Sequence, residues 1–288
     1  ERENRRARVA TIREVAKLAG VSVGTVSNFI NGSANVSPRT RAKIAWAMEE
    51  LNYYPDSRAQ RLAKQETDII ATVFLPNPDR TLYDPIYLDF IAAIGSEVNR
   101  RGYDLLLYNP TNYEDQMQKV IQLSRGRGVD GILLIGNTDP DPRVEYLKEL
   151  SFPFVLIGRA EGVHMVYIDN IGGAHRAVSY LLRLGHRKIG CISGTPEMLG
   201  GKDRLQGYLD AMGQAGLKVQ DSWIREGRFT EDGGYRAAKE LMATERFSAI
   251  FSVGDVMALG AIRALNEVGY RIPEDVALVS FDDFYMAS

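Results

Sequence analysis

Hydrophobic positions follow two different periods along this chain. From residue 11 to residue 51 they fall at helical spacing. Beyond residue 68 they gather in short dense runs separated by longer amphipathic stretches. In the first region Ile12, Val15, Ala16 and Ala19 stand at i, i+3, i+4 and i+7, one stripe of a helix. Thr11-Ile-Arg-Glu14 ahead of them is a capping-box pattern, and Gly20 ends the stripe with a residue that takes positive φ readily. Ser22 can cap a second helix from Val23 to Ile30, with Val26, Phe29 and Ile30 inward and Asn31-Gly32 as its stop. Ser37-Pro38 opens a third, whose stripe is Ile44, Ala47, Met48 and Leu51. Two helices joined by a tight Gly-containing turn, with a third behind, predict a helix-turn-helix head over residues 11–55.

In the second region the apolar runs predict strands at 68–75, 103–108, 129–135, 154–157, 165–168, 188–193, 249–253 and 276–281. Helical patterns such as 86–101 and 172–184 lie between them. Alternation of this kind predicts an α/β body of doubly wound parallel sheets over residues 68–288, with two lobes and ligand sites at the carboxyl ends of strands. The Val, Ile and Leu density of the runs fits sheets covered on both faces.

Composition adds little until charge is mapped. The 288 residues are 45% hydrophobic and 25% charged, with a formal net charge of −2, an ordinary globular balance. Residues 1–65, however, hold 12 Lys and Arg against 6 Asp and Glu, while the rest hold 23 against 31. A basic head on an acidic body predicts a polyanion-binding module joined to a different kind of domain. Residues 1–10 read as a basic tail. Residues 56–67, after Pro55, read as a linker whose helical turns are too short to persist without a partner.

The same survey excludes several chemistries. Cys191 is the sole cysteine and sits in an apolar run, and His164, His175 and His186 have no metal-ligand spacing, so neither a disulfide nor a metal site is expected. No apolar stretch approaches the roughly 20 residues needed to cross a bilayer. The N-terminus lacks the apolar segment of a secretory signal, which predicts a cytoplasmic protein. The pairs Gly172-Gly173, Gly200-Gly201 and Gly233-Gly234 fit no phosphate-loop or dinucleotide fingerprint, and no nucleophile elbow occurs. No cofactor and no catalytic residues are expected.

A helix-turn-helix head enters the major groove with the N-terminal part of its second helix. That face would carry Val23, Gly24, Ser27, Asn28 and Asn31; asparagine matches the adenine edge, and Thr25 and Ser27 suit phosphate oxygens. Thr11, Ser22 and Asn35 complete the candidate set around it. The alternative is a three-helix protein-interaction bundle, which would not require the basic excess.

Thr11-Ile-Arg-Glu-Val-Ala-Lys-Leu-Ala-Gly-Val-Ser22, then Thr25-Val-Ser27, Asn31-Gly32, Val36-Ser37, Thr40-Arg41 and Leu51-Asn-Tyr53, closely resemble the LacI/GalR family of transcriptional regulators. The resemblance continues through Arg101-Gly-Tyr-Asp-Leu-Leu106, Leu184-Gly-His-Arg-Lys-Ile189, Arg204-Leu-Gln-Gly-Tyr208 and Ile272-Pro-Glu-Asp-Val276. It implies a near-palindromic operator DNA, a homodimer, no membrane, and a periplasmic-binding-protein-like effector domain that binds a small molecule, expected to be a sugar. The linker is then a hinge helix whose Leu62 wedges into the minor groove, with Arg58, Arg61 and Lys64 on phosphates. Effector contacts fall on Arg204, Phe229, Asp255 and Asp282, with Tyr87 and Arg159 as further candidates.

Each of these has a plainer alternative. Arg204 and Asp255 would make an ion pair, Asp282 a loop cap, Phe229 plain core, and Asp169-Asn170 a helix N-cap. Departures from the family pattern are Asn28, where arginine or histidine is usual, Gly158 in place of aspartate, Gly254 in place of asparagine, and a long segment at 76–84. The chain stops at Ser288, before family members end, so the resemblance implies an incomplete C-terminal edge to the effector domain. A purine-corepressed regulator of the same family is the alternative function; a sugar-transport protein and a sugar-modifying enzyme fit the head and the missing motifs less well.

Overall fold

The computed structural model describes residues 10–33, 35–54, 66–76 and 85–284. The chain divides into two compact units, Glu1–Thr67 and Asp68–Ser288. Residues 1–9 of the basic tail and the hinge candidates Arg58, Arg61, Leu62 and Lys64 lie outside the described residues.

In the first unit, α1 (Ile12–Ala19), α2 (Val23–Ile30) and α3 (Pro38–Glu50) form from local signals. Thr11 and Glu14 close a capping box: the Thr11 amide donates to Glu14 Oε2 at 2.8 Å and the Glu14 amide to Thr11 Oγ1 at 3.4 Å. Gly20 terminates α1 at φ +69. Ser22 and Ser37 cap the next two helices through the amides of Thr25 and Thr40. Val15, Ala16, Ala19, Val26, Val36, Ile44 and Ala47 are buried together, with Phe29, Ile30, Met48 and Leu51 packed around them. This is the interior that the helical spacing predicts.

The second unit contains two parallel sheets. One is built from β1 (Ile69–Phe74), β2 (Asp104–Tyr108), β3 (Gly131–Ile135), β4 (Phe154–Ile157) and β5 (Met165–Val166), in the order β2-β1-β3-β4-β5. Its helices are α4 (Pro85–Arg100), α5 (Tyr113–Arg125) and α6 (Pro142–Glu149). The other sheet joins β6 (Ile189–Ser193), β7 (Ile224–Glu226), β8 (Ala249–Ser252) and β9 (Ala277–Ser280) in the order β7-β6-β8-β9. Around it lie α7 (Asn170–Arg183), α8 (Leu199–Gln214), α9 (Glu231–Thr244) and α10 (Asp255–Glu267). Each expected strand is present, most trimmed by a residue or two. The additional one, β7, has a single apolar residue in its three, so no hydrophobic period announces it.

Each sheet has its own core. Ala71, Val73, Leu134 and Leu156 meet Val120, Val144 and Leu147 in the first lobe. In the second, Cys191, Ile250 and Phe251 meet Val178, Tyr208, Leu241 and Ala261, and burial pushes the Cys191 thiol far above its ordinary range. Glycine sets the helix spacing here. A Cβ at Gly207 would overlap the backbone of α7 at Ile171, and one at Gly260 would overlap Glu231 of α9. Gly234 likewise stands against Met257 of α10, while Gly233 makes room for the Gly227 carbonyl ahead of α9.

Candidate functional site

In the head, the exposed face of α2 carries Val23, Gly24 and Asn28, followed by Asn31, while Thr25 and Ser27 are half-buried. Ser22 is occupied as the N-cap, and its hydroxyl lies 2.9 Å from that of Thr25. Thr11 is likewise taken up by Glu14. A Cβ at Gly24 would meet only Ser22 Oγ, at 3.7 Å, so packing within the head does not require glycine there. Asn35 is exposed on the turn before α3. Arg41 staples that turn: its Nε donates to Val36 O at 3.0 Å, another guanidinium nitrogen bonds Ser33 O, and the group lies over Phe29. Sequence reading did not single out Arg41 for this role.

The second unit carries a cavity of about 230 Å³ between the carboxyl ends of the two sheets. This is the location expected for ligands in open α/β sheets. Five of the six expected effector residues reach its wall: Tyr87, Arg159, Arg204, Phe229 and Asp282. Tyr87 stands in the first turn of α4 with its ring edge-on to Phe74, 5.4 Å between centroids. Arg159 follows β4, and Phe229 and Asp282 follow β7 and β9, both at positive φ.

Arg204, on α8, is held on three sides. Nε donates to Asn170 Oδ1 at 2.8 Å, Nη1 donates to Val253 O at 2.7 Å, and Nη1 also lies 2.9 Å from Asp282 Oδ1. The guanidinium carbon stands 3.9 Å from the centroid of the Phe281 ring, close enough for a cation–π contact. Arg204 therefore pairs with Asp282 and not with Asp255. The Phe229 ring rests on glycine. A Cβ at Gly194 would overlap it, and at Gly201 or Gly254 would stand 3.3 Å from it. The glycine at 254 thus leaves room for Phe229 and, at 3.4 Å, for the Asp282 carboxylate.

Asp255, the sixth expected effector residue, is buried at the start of α10 and is not among the residues that line the cavity. Its carboxylate accepts a short bond from the Ser280 hydroxyl and a 3.0 Å bond from the Phe284 amide. It ties down the segment that carries Phe281 and Asp282. Asp169 caps α7 through the Gly172 amide, as expected, yet its neighbour Asn170 reaches the cavity and Arg204.

Three polar residues at the wall escaped sequence reading: Asn137, after β3, Tyr167, after β5, and Asp203, on α8. Asp203 receives Arg159 Nη2 at 2.8 Å and Nε at 3.3 Å, and this bond holds the guanidinium more firmly protonated. Its position one residue before Arg204 was the available signal. Among the described residues no group of His, Cys, Asp and Glu side chains could hold a metal ion, and no helix is long and apolar enough to cross a membrane.

Comparison with known proteins then bears on this geometry. The profile described as "Bacterial regulatory proteins, lacI family" matches residues 11–56, and that described as "Periplasmic binding proteins and sugar binding domain of LacI family" matches residues 73–288. The HTH-type transcriptional regulator CelR of Thermobifida fusca is 38% identical over 288 residues, covering 98% of this chain and 84% of the relative. The HTH-type transcriptional repressor PurR of Mannheimia succiniciproducens is 33% identical over 282 residues, covering 96% and 83%. Among solved structures, a CelR–cellobiose complex superposes with a TM-score of 0.69 at 37% identity, covering 95% of this chain and 83% of that one. The lac repressor dimer bound to operator and the anti-inducer ONPF superposes with a TM-score of 0.85 at 27% identity, covering 96% and 84%.

Proposed function

Because this chain belongs to the LacI family of bacterial regulatory proteins, we propose that it is a cytoplasmic, homodimeric DNA-binding regulator whose operator affinity is set by a small carbohydrate. The head, residues 11–55, reads the operator. The α2 face of Val23, Gly24, Ser27, Asn28 and Asn31 enters the major groove, and the capping turn at Ser22 and Thr25, with Thr11 and Asn35, lies along phosphates. Two heads meet two half-sites. The linker at 56–67 folds on the DNA, with Leu62 at the minor groove and Arg58 and Lys64 on the backbone. Residues 68–288 bind the effector and dimerise.

The observation that carries the sugar assignment is the Arg204–Asp282 pair beside the Phe229 ring. A guanidinium and a carboxylate held side by side can each engage neighbouring hydroxyls, and an aromatic face covers the apolar side of a pyranose. Tyr87 closes the cavity from the first lobe. The CelR–cellobiose complex, at 37% identity, supports the same class of ligand. Effector binding shifts the two lobes, and through the dimer the linker, with a coupling of about 1–3 kcal/mol. A purine corepressor is the second reading. It is favoured by the PurR relatives and by the same Phe229 face, which also suits a flat base.

The test is a thermal-shift screen of cellobiose, other sugars and purines, followed by operator titration with each hit. A bound ligand raises apparent stability by mass action. A sugar that stabilises the protein and changes operator affinity supports the proposal. A purine that raises operator affinity, with no response to any sugar, would replace it. Operator binding itself should weaken steeply with salt.

A further inference from the structure

The two lobes of the effector domain are joined across the cavity by a set of contacts centred on Arg159. Its guanidinium comes from the first lobe, just after β4, and crosses to Asp203 on α8 of the second. The two sides are unequally exposed: the Asp203 side chain retains 7% of its surface and that of Arg159 retains 45%. Both Asp203 oxygens accept from Arg159, and no hydrogen bond from its own lobe reaches them among the described residues. Asp203 is thus a buried carboxylate whose compensating charge lies entirely on the opposite lobe.

Asn137 positions the arm. Its Oδ1 accepts from the Arg159 amide at 3.1 Å, and its Nδ2 donates to Arg159 O at 2.9 Å and to Thr138 O at 3.0 Å. Its own carbonyl accepts from the Leu199 amide, at the start of α8, at 3.0 Å. One buried asparagine therefore fixes the backbone of Arg159 and makes the neighbouring bond between the lobes. Gly158 makes this possible, because a Cβ there would overlap Asn137 Oδ1.

We propose that Arg159 and Asp203 form a latch that holds the cleft closed before effector arrives, with Asn137 as its positioning residue. Closing the lobes without Arg159 would bury an unpaired carboxylate, whereas opening them returns Asp203 to water. The pair therefore sets the closed fraction, and apparent effector affinity scales with that fraction. Arg159 is spent on the opposite lobe rather than on the ligand. This inference rests on the cavity being the effector site, but the latch itself can be read without any ligand.

The experiment places spin labels on the full chain through Glu149→Cys and Lys239→Cys, exposed positions on the two lobes. Cys191 is buried, so the labels go to the introduced sites. Pulsed electron resonance on the unliganded protein should give a dominant short interlobe distance and a minor longer one for the parent. Asp203→Asn and Arg159→Gln, made separately, should each raise a longer-distance population by about fivefold or more. The charge swap Arg159→Asp with Asp203→Arg should restore the short distance, and added salt should lengthen it in the parent. Identical distributions in parent and both single variants would overturn the latch. A cellobiose titration forms the second arm. Parallel loss of affinity and closure supports both readings, while failure of every form to bind sugars removes the effector reading and leaves the distance result standing.

Discussion

The guanidinium of Arg204 lies over the Phe281 ring at 3.9 Å while its Nη1 meets the Asp282 carboxylate at 2.9 Å. Stacking and pairing together orient a planar cation in a half-buried cavity. A lysine keeps the charge but has neither the fork nor the flat face. Arg204→Lys should lower affinity for the sugar identified by the thermal screen by about tenfold or more, a loss near 1.4 kcal/mol. Operator affinity without effector should remain near that of the parent. Calorimetric titration and gel-shift assays check the two halves.

Gly194 tests the bed under Phe229. A methyl group at Gly194 overlaps the ring, so Gly194→Ala must displace it. Overpacking of this kind costs about 1–3 kcal/mol. The expected outcome is a lower melting temperature together with weaker effector binding, measured on the same preparation. An unchanged melting temperature would show that the ring moves aside freely and does not form a fixed face.

Asp255 should behave as a structural residue. Its carboxylate accepts from Ser280 and from the Phe284 amide in a buried setting, so Asp255→Asn places a donor where acceptors are needed. Unliganded stability should fall by about 1–3 kcal/mol in denaturant titration. If stability holds and only sugar affinity falls, Asp255 touches the ligand directly and the reading of the cavity wall is wrong.

Gly24 separates folding from recognition. Space for a methyl group exists, and alanine is favoured over glycine in a helix by about 1 kcal/mol. Gly24→Ala should therefore stabilise the head in thermal denaturation. It should at the same time weaken operator binding, because the added carbon stands on the face proposed to meet DNA. Stabilisation with undiminished operator affinity would mean that α2 does not approach the groove at this residue.

What the sequence made legible follows from the range of the forces involved. The head forms from signals a few residues apart: the Thr11–Glu14 box, the Ser22 and Ser37 caps, the stop at Gly20. Strands such as β6 and β8 were legible because they are buried along their whole length and carry no polar residue before their closing serines, Ser193 and Ser252. The cavity was legible only by position. Family pattern nominated Asp255, yet spacing does not say which way a carboxylate points, and this one turns toward Ser280. Asn137 carries no local signal, and Asp203 has only its place beside Arg204. They are ordinary loop and helix residues until β3, β4 and α8, separated by tens of positions, are brought together by the two lobes. The strand β7 is likewise a tertiary product, ordered by pairing with β6 through Cys191 and Ile224.

The steric exclusion between Gly158 and Asn137 also constrains how this protein can change. A side chain at 158, including the aspartate common in the family, cannot enter while Asn137 keeps its present rotamer, because the first carbon already occupies the amide oxygen's place. A larger residue at 158 therefore requires the Asn137 amide to turn away, which breaks its two bonds to the Arg159 backbone and frees the arm that reaches Asp203. A single methyl group at 158 thus acts on a contact on the opposite lobe without touching it.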